Sequence, residues 1–191
     1  MIILIISVFK EWSKCCWAST IIGQEIVTVD YLSADGNTYT VSVDLSDANI
    51  PEGAYLQVEE LSNDEAKAYI KEASKAVDTK ITDLLYSKAL DISIVYNNEK
   101  IQPERTVKVE VELQDKKKDI ISEVVHFGDK TEVLNSETNG KTVEFRTNGF
   151  SVFAFVGIEQ LPEGNITQTY EDEEYIITAS YSEKAEIPEN A

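Results

Sequence analysis

Few residues in this chain of 191 carry side chains suited to chemistry. His126 is the single histidine. A histidine acts as base or ligand when a nucleophile or further ligands stand beside it. No such partner is evident along the sequence, so His126 reads as a strand residue near a sheet surface. Ser151 sits among aromatics in Phe150-Ser151-Val152-Phe153. A nucleophile elbow sets its serine between glycines at fixed spacing, and that spacing is missing. There is no Gly-rich phosphate loop. Asp35, Asp44 and Asp47 could contribute to a calcium site, but the Asp-x-Asp-x-Asp-Gly loop is absent, so they read as solvated turn acids. Asn165-Ile166-Thr167 fits the glycosylation pattern, which is informative only in a eukaryotic secretory route. Cys15 and Cys16 are adjacent and are the only cysteines. Neighbouring cysteines bridge poorly, and two alone make neither a disulfide framework nor a metal-ligand spacing. The sequence therefore offers no catalytic, cofactor-binding or metal-binding residue, and calls for no cofactor.

The elements that would position any site are mostly strands. Ile26 to Tyr31 and Thr38 to Leu45 alternate around Asp35-Gly36, a hairpin pattern. Tyr55 to Glu59 adds a strand after the turn Ile50-Pro51-Glu52-Gly53-Ala54. Ser62-Asn63-Asp64-Glu65 is a capping box, and the good helix formers after it predict a helix over 63–77. A weaker helical turn is expected around Thr82 to Tyr86. Further strands follow at Ala89–Tyr96, Val107–Leu113, Ser122–Phe127, Thr131–Leu134, Thr142–Arg146 and Phe150–Val156. Val107, Val109, Val111 and Leu113 give the plainest one-face-buried pattern. Asn97 to Lys100 and Lys116 to Asp119 read as turns, the latter exposed, and Asn139-Gly140 marks a hairpin. Short strands with turns every 8–12 residues or so indicate a mainly β, antiparallel, sandwich-like fold.

The bulk numbers agree with a folded body. Net charge is −18, from 35 acidic and 17 basic residues, yet 42% of residues are hydrophobic and 9% aromatic. A disordered acidic chain is poor in such residues. The acid reads as a solvated surface, which repels nucleic acid and anionic membranes. The apolar run Met1 to Phe9 is far shorter than the about 20 residues of a membrane span. It lacks the basic leader of a signal peptide. Residues 1–24 therefore read as a segment outside the module, a degraded signal or a miscalled start.

One pattern occurs twice. Tyr39 to Leu45 followed by Ile50-Pro51-Glu52 returns as Tyr175 to Tyr181 followed by Ile187-Pro188-Glu189, at a period of about 137 residues. That is the size of an ordinary domain. The chain thus divides into a module over 25–158 and, over 159–191, a linker at Leu161-Pro162-Glu163-Gly164 plus the truncated first hairpin of a second copy.

Thr38-Tyr39-Thr40-Val41 through Ile50-Pro51-Glu52-Gly53-Ala54, the capped helix, Val124-Val125-His126-Phe127-Gly128 and Phe150-Ser151-Val152-Phe153-Ala154 together resemble a repeated β-rich module. Such modules occur in large cell-wall-anchored surface proteins of Firmicutes. The resemblance covers about Ile26 to Val156 and the hairpin up to Ala191. It implies an extracellular location on a Gram-positive cell surface or cell wall. It also implies a non-enzymatic stalk or adhesive arm. Its partners would be host or extracellular proteins or glycans and neighbouring modules, with no membrane insertion by the module itself. Parent proteins carry a full signal peptide and a Leu-Pro-x-Thr-Gly sorting signal. Neither is recognisable here, which favours a fragment. Some stalk modules also carry an internal Lys–Asn isopeptide bond. Lys108 and Asn148 flank core strands, but Lys108 alternates outward, which argues against that bond.

The alternative is a carbohydrate-binding accessory module of a secreted enzyme. It would present coplanar aromatics, and Trp12 and Trp17 lie outside the expected fold.

Overall fold

The computed structural model describes residues 18–21, 26–118, 120–159, 164–169 and 176–181. These fall into two compact units divided between Ile158 and Glu159. In the first, the order is β1 (Ala18–Ile21), β2 (Ile26–Leu32), β3 (Thr38–Asp44), β4 (Tyr55–Glu60), α1 (Asn63–Ala76), a 3-10 turn (Ile81–Asp83), β5 (Tyr86–Tyr96), β6 (Glu99–Ile101), β7 (Val107–Leu113), β8 (Ile120–Phe127), β9 (Thr131–Leu134), β10 (Ser136–Asn139), β11 (Thr142–Thr147) and β12 (Val152–Glu159). One sheet runs β1-β4-β5-β12-β8-β9, with β6 also on β5, and the other runs β10-β11-β7-β3-β2. The fold is mainly β, antiparallel and sandwich-like with one helix.

The alternating sequences account for the second sheet. In β2, β3 and β7 every second residue is buried, so one face meets the core and the other meets solvent. Val109 is central: it pairs with Val43 on one side and Phe145 on the other, and it is fully buried. The turns fit their residues. Gly36 and Gly53 take φ of +85° and +88°, where a side chain would be strained.

The first sheet is covered on both faces, which explains its longer apolar runs. Phe153 and Phe155 of β12 join the core between the sheets, while Ala154 and Val156 pack against Ala73 of α1. Val124 and Val125 of β8 divide in the same way. The helix starts where the capping box sets it. The Ser62 side chain accepts from the Glu65 amide, and Glu65 reaches back to Ser62.

Several details depart from expectation. The expected helical turn is the shorter Ile81–Asp83. The Asn97–Lys100 turn tightens to Asn97-Asn98, both left-handed at φ of 52° and 64°, which frees Glu99–Ile101 to pair as β6. β10 is an addition to the expected strands. Lys116, expected in an exposed turn, is buried: its ammonium donates to the carbonyls of Lys117, Ile120 and Gly140. Within the 1–24 segment, Ala18–Ile21 pairs antiparallel with β4.

The second unit contains a hairpin, β13 (Gly164–Thr169) with β14 (Ile176–Tyr181), in which Ile166 pairs with Ala179 and Gln168 with Ile177. Met1 to Trp17, with Trp12, Cys15 and Cys16, lies outside the described residues, as do Leu161–Glu163 of the linker and Ile187-Pro188-Glu189. No helix among the described residues is long and apolar enough to cross a membrane.

Candidate functional site

The residues that converge are His126, Ser151 and Glu132. His126 lies near the end of β8, two residues on from inward-facing Val124, and its ring stacks on Phe153 at 4.6 Å between centroids and 19° between planes. The turn Gly128–Asp129–Lys130 then reverses the chain and sets Glu132 directly across from His126. Nδ1 lies 3.0 Å from Glu132 Oε1. Ser151, just before β12, places Oγ 2.9 Å from Nε2 and 2.8 Å from the Phe127 carbonyl oxygen. His126 is buried, Ser151 half-buried and Glu132 exposed.

The surroundings hold this arrangement. Gln102 clamps Phe150 through both backbone groups, donating to its carbonyl at 3.0 Å and accepting from its amide at 2.6 Å. Thr147 Oγ1 accepts from the Gly149 amide and donates to its carbonyl, which fixes the approach to Ser151. Gly128 and Gly149 leave room for the imidazole: a Cβ at either would lie 3.0 Å or 3.4 Å from its Cε1. A cleft of about 630 Å³ opens over the cluster, and Gln102, Asp129, Lys130, Asn148 and Ser151 are among its lining residues.

The Ser151 hydroxyl has one proton and two acceptors in reach. If the proton goes to the Phe127 carbonyl, Nε2 must donate to Oγ. With Nδ1 donating to Glu132, the ring is then an imidazolium. If the proton goes to Nε2, the ring is neutral, with its Nδ1–H on Glu132. The second state has the order of nucleophile, base and orienting carboxylate. In both states the bonds tie β8, β9 and the start of β12 together, which is structural work in itself.

The other candidates stay apart. Asp44 accepts from the side chain and backbone of Ser46, and these bonds hold its carboxyl below the usual range. Asp44 and Asp47 share a shallow hollow with Lys108 and Arg146, whose charges oppose cation binding. Asp35 lies in a different hollow, beside Glu59 and Glu60. No group of three metal-ligating side chains occurs among the described residues. Lys108 points outward to Glu110 and Glu144 at 2.8 and 2.9 Å, whereas Asn148 lines the His126 cleft. Asn165 falls in β13, paired with Ser180.

A separate charged cluster joins the two sheets. Lys88 meets Glu60 at 2.7 Å and Asp115 at 3.8 Å, and the Tyr86 hydroxyl donates to Asp115 at 2.8 Å. Burial raises the Glu60 carboxyl, but the bonds from Lys88, Ser33 and Asn37 outweigh it and hold Glu60 below the ordinary range. Burial pushes the Tyr86 and Tyr39 hydroxyls far up, with the nearby carboxylates adding to the effect.

Along the sequence His126 and Ser151 look unpartnered. One signal was available: a tight turn over Gly128–Lys130 sets His126 against Glu132 by register alone. Ser151 carried no such local signal, because sheet order brings β12 beside β8. No protein-family model, curated protein or solved structure matches this chain.

Proposed function

We propose that the chain belongs to a Gram-positive bacterial surface protein built from copies of this module, each acting as a stalk segment or adhesive arm outside the cell. The observation that carries the reading is the second hairpin. Aligning the two copies of the repeated strand places Ile177 at Val41 and Ala179 at Val43. In the first unit Val41 pairs with Val29 and Val43 with Val27. In the second, Ile177 pairs with Gln168 and Ala179 with Ile166. On the partner strand Ile166 then takes Val27's place, while Gln168 takes that of Val29. Repetition of a module supports a role that scales with copy number, which is reach or avidity. Such a role is non-enzymatic. The acidic surface keeps an extended array soluble and self-repelling.

The natural partners are neighbouring modules and a host or extracellular protein or glycan. Tandem copies of 18–159 stretched in a force spectrometer test the stalk role. We expect one unfolding event per copy, all releasing equal lengths. Gradual extension without discrete events would refute a load-bearing module. Binding of the same tandem to immobilised matrix proteins and glycans tests the adhesive arm, and binding that rises steeply with copy number is expected.

A further inference from the structure

We propose that Ser151, His126 and Glu132 form an acyl-transfer centre that hydrolyses short-chain esters of polar alcohols. A stalk requires no such centre, so this inference goes beyond the proposed function and does not rest on it. Three observations combine. Ser151 Oγ and His126 Nε2 lie 2.9 Å apart, and Nδ1 and Glu132 lie 3.0 Å apart, so the two ring nitrogens face the nucleophile and the orienting acid respectively. The cluster opens into the cleft of about 630 Å³. The turn Gly128–Asp129–Lys130 lines that cleft on the His126 side. Backbone amides of that turn are the candidate donors for a developing oxyanion. The Gly149 and Phe150 amides are already committed to Thr147 and Gln102.

The reaction balances without any cofactor. Ser151 Oγ attacks the ester carbonyl carbon as its proton moves to Nε2. The tetrahedral adduct collapses, the bond to the alcohol oxygen breaks, and Nε2–H protonates that oxygen. Water then attacks the acyl-serine and gives a proton to Nε2. The carbon–Oγ bond breaks, and the proton returns to Oγ. Glu132 acts as a positioning residue, holding the ring with Nδ1–H outward. Its carboxylate is half exposed, which weakens its hold, so its loss costs less than loss of Ser151 or His126. The cleft selects the substrate class: its lining of Gln102, Asp129, Lys130 and Asn148 suits a hydroxyl-rich alcohol, not a long acyl chain.

The test uses the full chain with p-nitrophenyl acetate, p-nitrophenyl octanoate and a fluorophosphonate probe, with the labelled peptide mapped by mass spectrometry. We expect the probe on Ser151 and hydrolysis of the acetate in preference to the octanoate. Ser151→Ala should abolish labelling there and lower turnover by about 10²-fold or more. Glu132→Gln should lower kcat about 10-fold with KM unchanged, and Glu132→Asp should restore part of it. Circular dichroism checks that each variant is folded. Because His126 also ties strands together, His126→Gln is read by labelling only in its folded fraction, and Ser151→Ala is the deciding variant. Folded wild type that leaves Ser151 unlabelled overturns the proposal. So does Ser151→Ala hydrolysing the acetate as fast as wild type.

Discussion

Replacing Lys116 by methionine should destabilise the first unit sharply, although the side chain looks like one of three interchangeable lysines. Its aliphatic stem is fully packed, at 1% exposure, and methionine reproduces most of that volume. The ammonium is what is lost. It donates to the carbonyls of Lys117, Ile120 and Gly140, so it joins the start of β8 in one sheet to the β10–β11 turn in the other. A hydrogen bond from a charged donor contributes about 1.5–3 kcal/mol. Removing the charge also removes its burial cost, which offsets part of that loss. The net should be about 2–4 kcal/mol, or roughly 10 °C in Tm. Lys117→Met, one residue on and exposed, should stay within about 0.5 kcal/mol of wild type. Urea unfolding followed by circular dichroism gives both values. If the two variants prove equally stable, Lys116 holds nothing together and the pairing of its ammonium is wrong.

Three further outcomes follow from the packing and charges. Val109→Asp should unfold the first unit by placing an unpaired charge between Val43 and Phe145, whereas Lys108→Gln should leave it folded; reversed outcomes in a thermal melt would put the β7 register off by one. Gly157→Ala should cost about 1–3 kcal/mol in denaturant unfolding, because a Cβ there meets Ile120 and lies 2.7 Å from Tyr86 Cβ; a neutral result would mean the β5–β12 contact is looser than described. Glu60 is held below its ordinary range, so its contribution is fully present above the unfolded carboxylate value near 4.5 and is lost as pH falls through the lower folded value. Acid titration of stability should therefore be shallower in Glu60→Gln than in wild type, and identical slopes would rule out the Lys88–Glu60 pair as a contributor.

What could be read from the sequence was local. The helix start was legible because a capping box is satisfied within four residues, and β7 because its alternation follows from one buried face. The mainly β class followed from the same patterns. Lys116 was not legible: three consecutive lysines look solvated, and two of the Lys116 acceptors come from Ile120 and the Gly140 turn, which only the fold brings near. β6 has only three residues and β10, Ser-Glu-Thr-Asn, has no apolar residue, so neither shows a period. The Ser151–His126 contact spans 25 residues and depends on strand order, which no local pattern encodes.

Duplication of the opening hairpin by Gly164 to Tyr181 can be tested by putting that segment in place of Glu25 to Leu45 and measuring thermal unfolding. Ile166, Ile177 and Ala179 would take the inward positions of Val27, Val41 and Val43. Gln168 replaces buried Val29 and should cost about 1–3 kcal/mol, and Ala179 replaces fully buried Val43, which leaves a cavity. Duplication predicts a cooperatively unfolding chimera of lowered Tm, with Gln168→Val recovering part of the loss and Ala179→Val a further part. If none of these chimeras folds, the second hairpin is not a copy of the first, and the chain is not built from a repeated module.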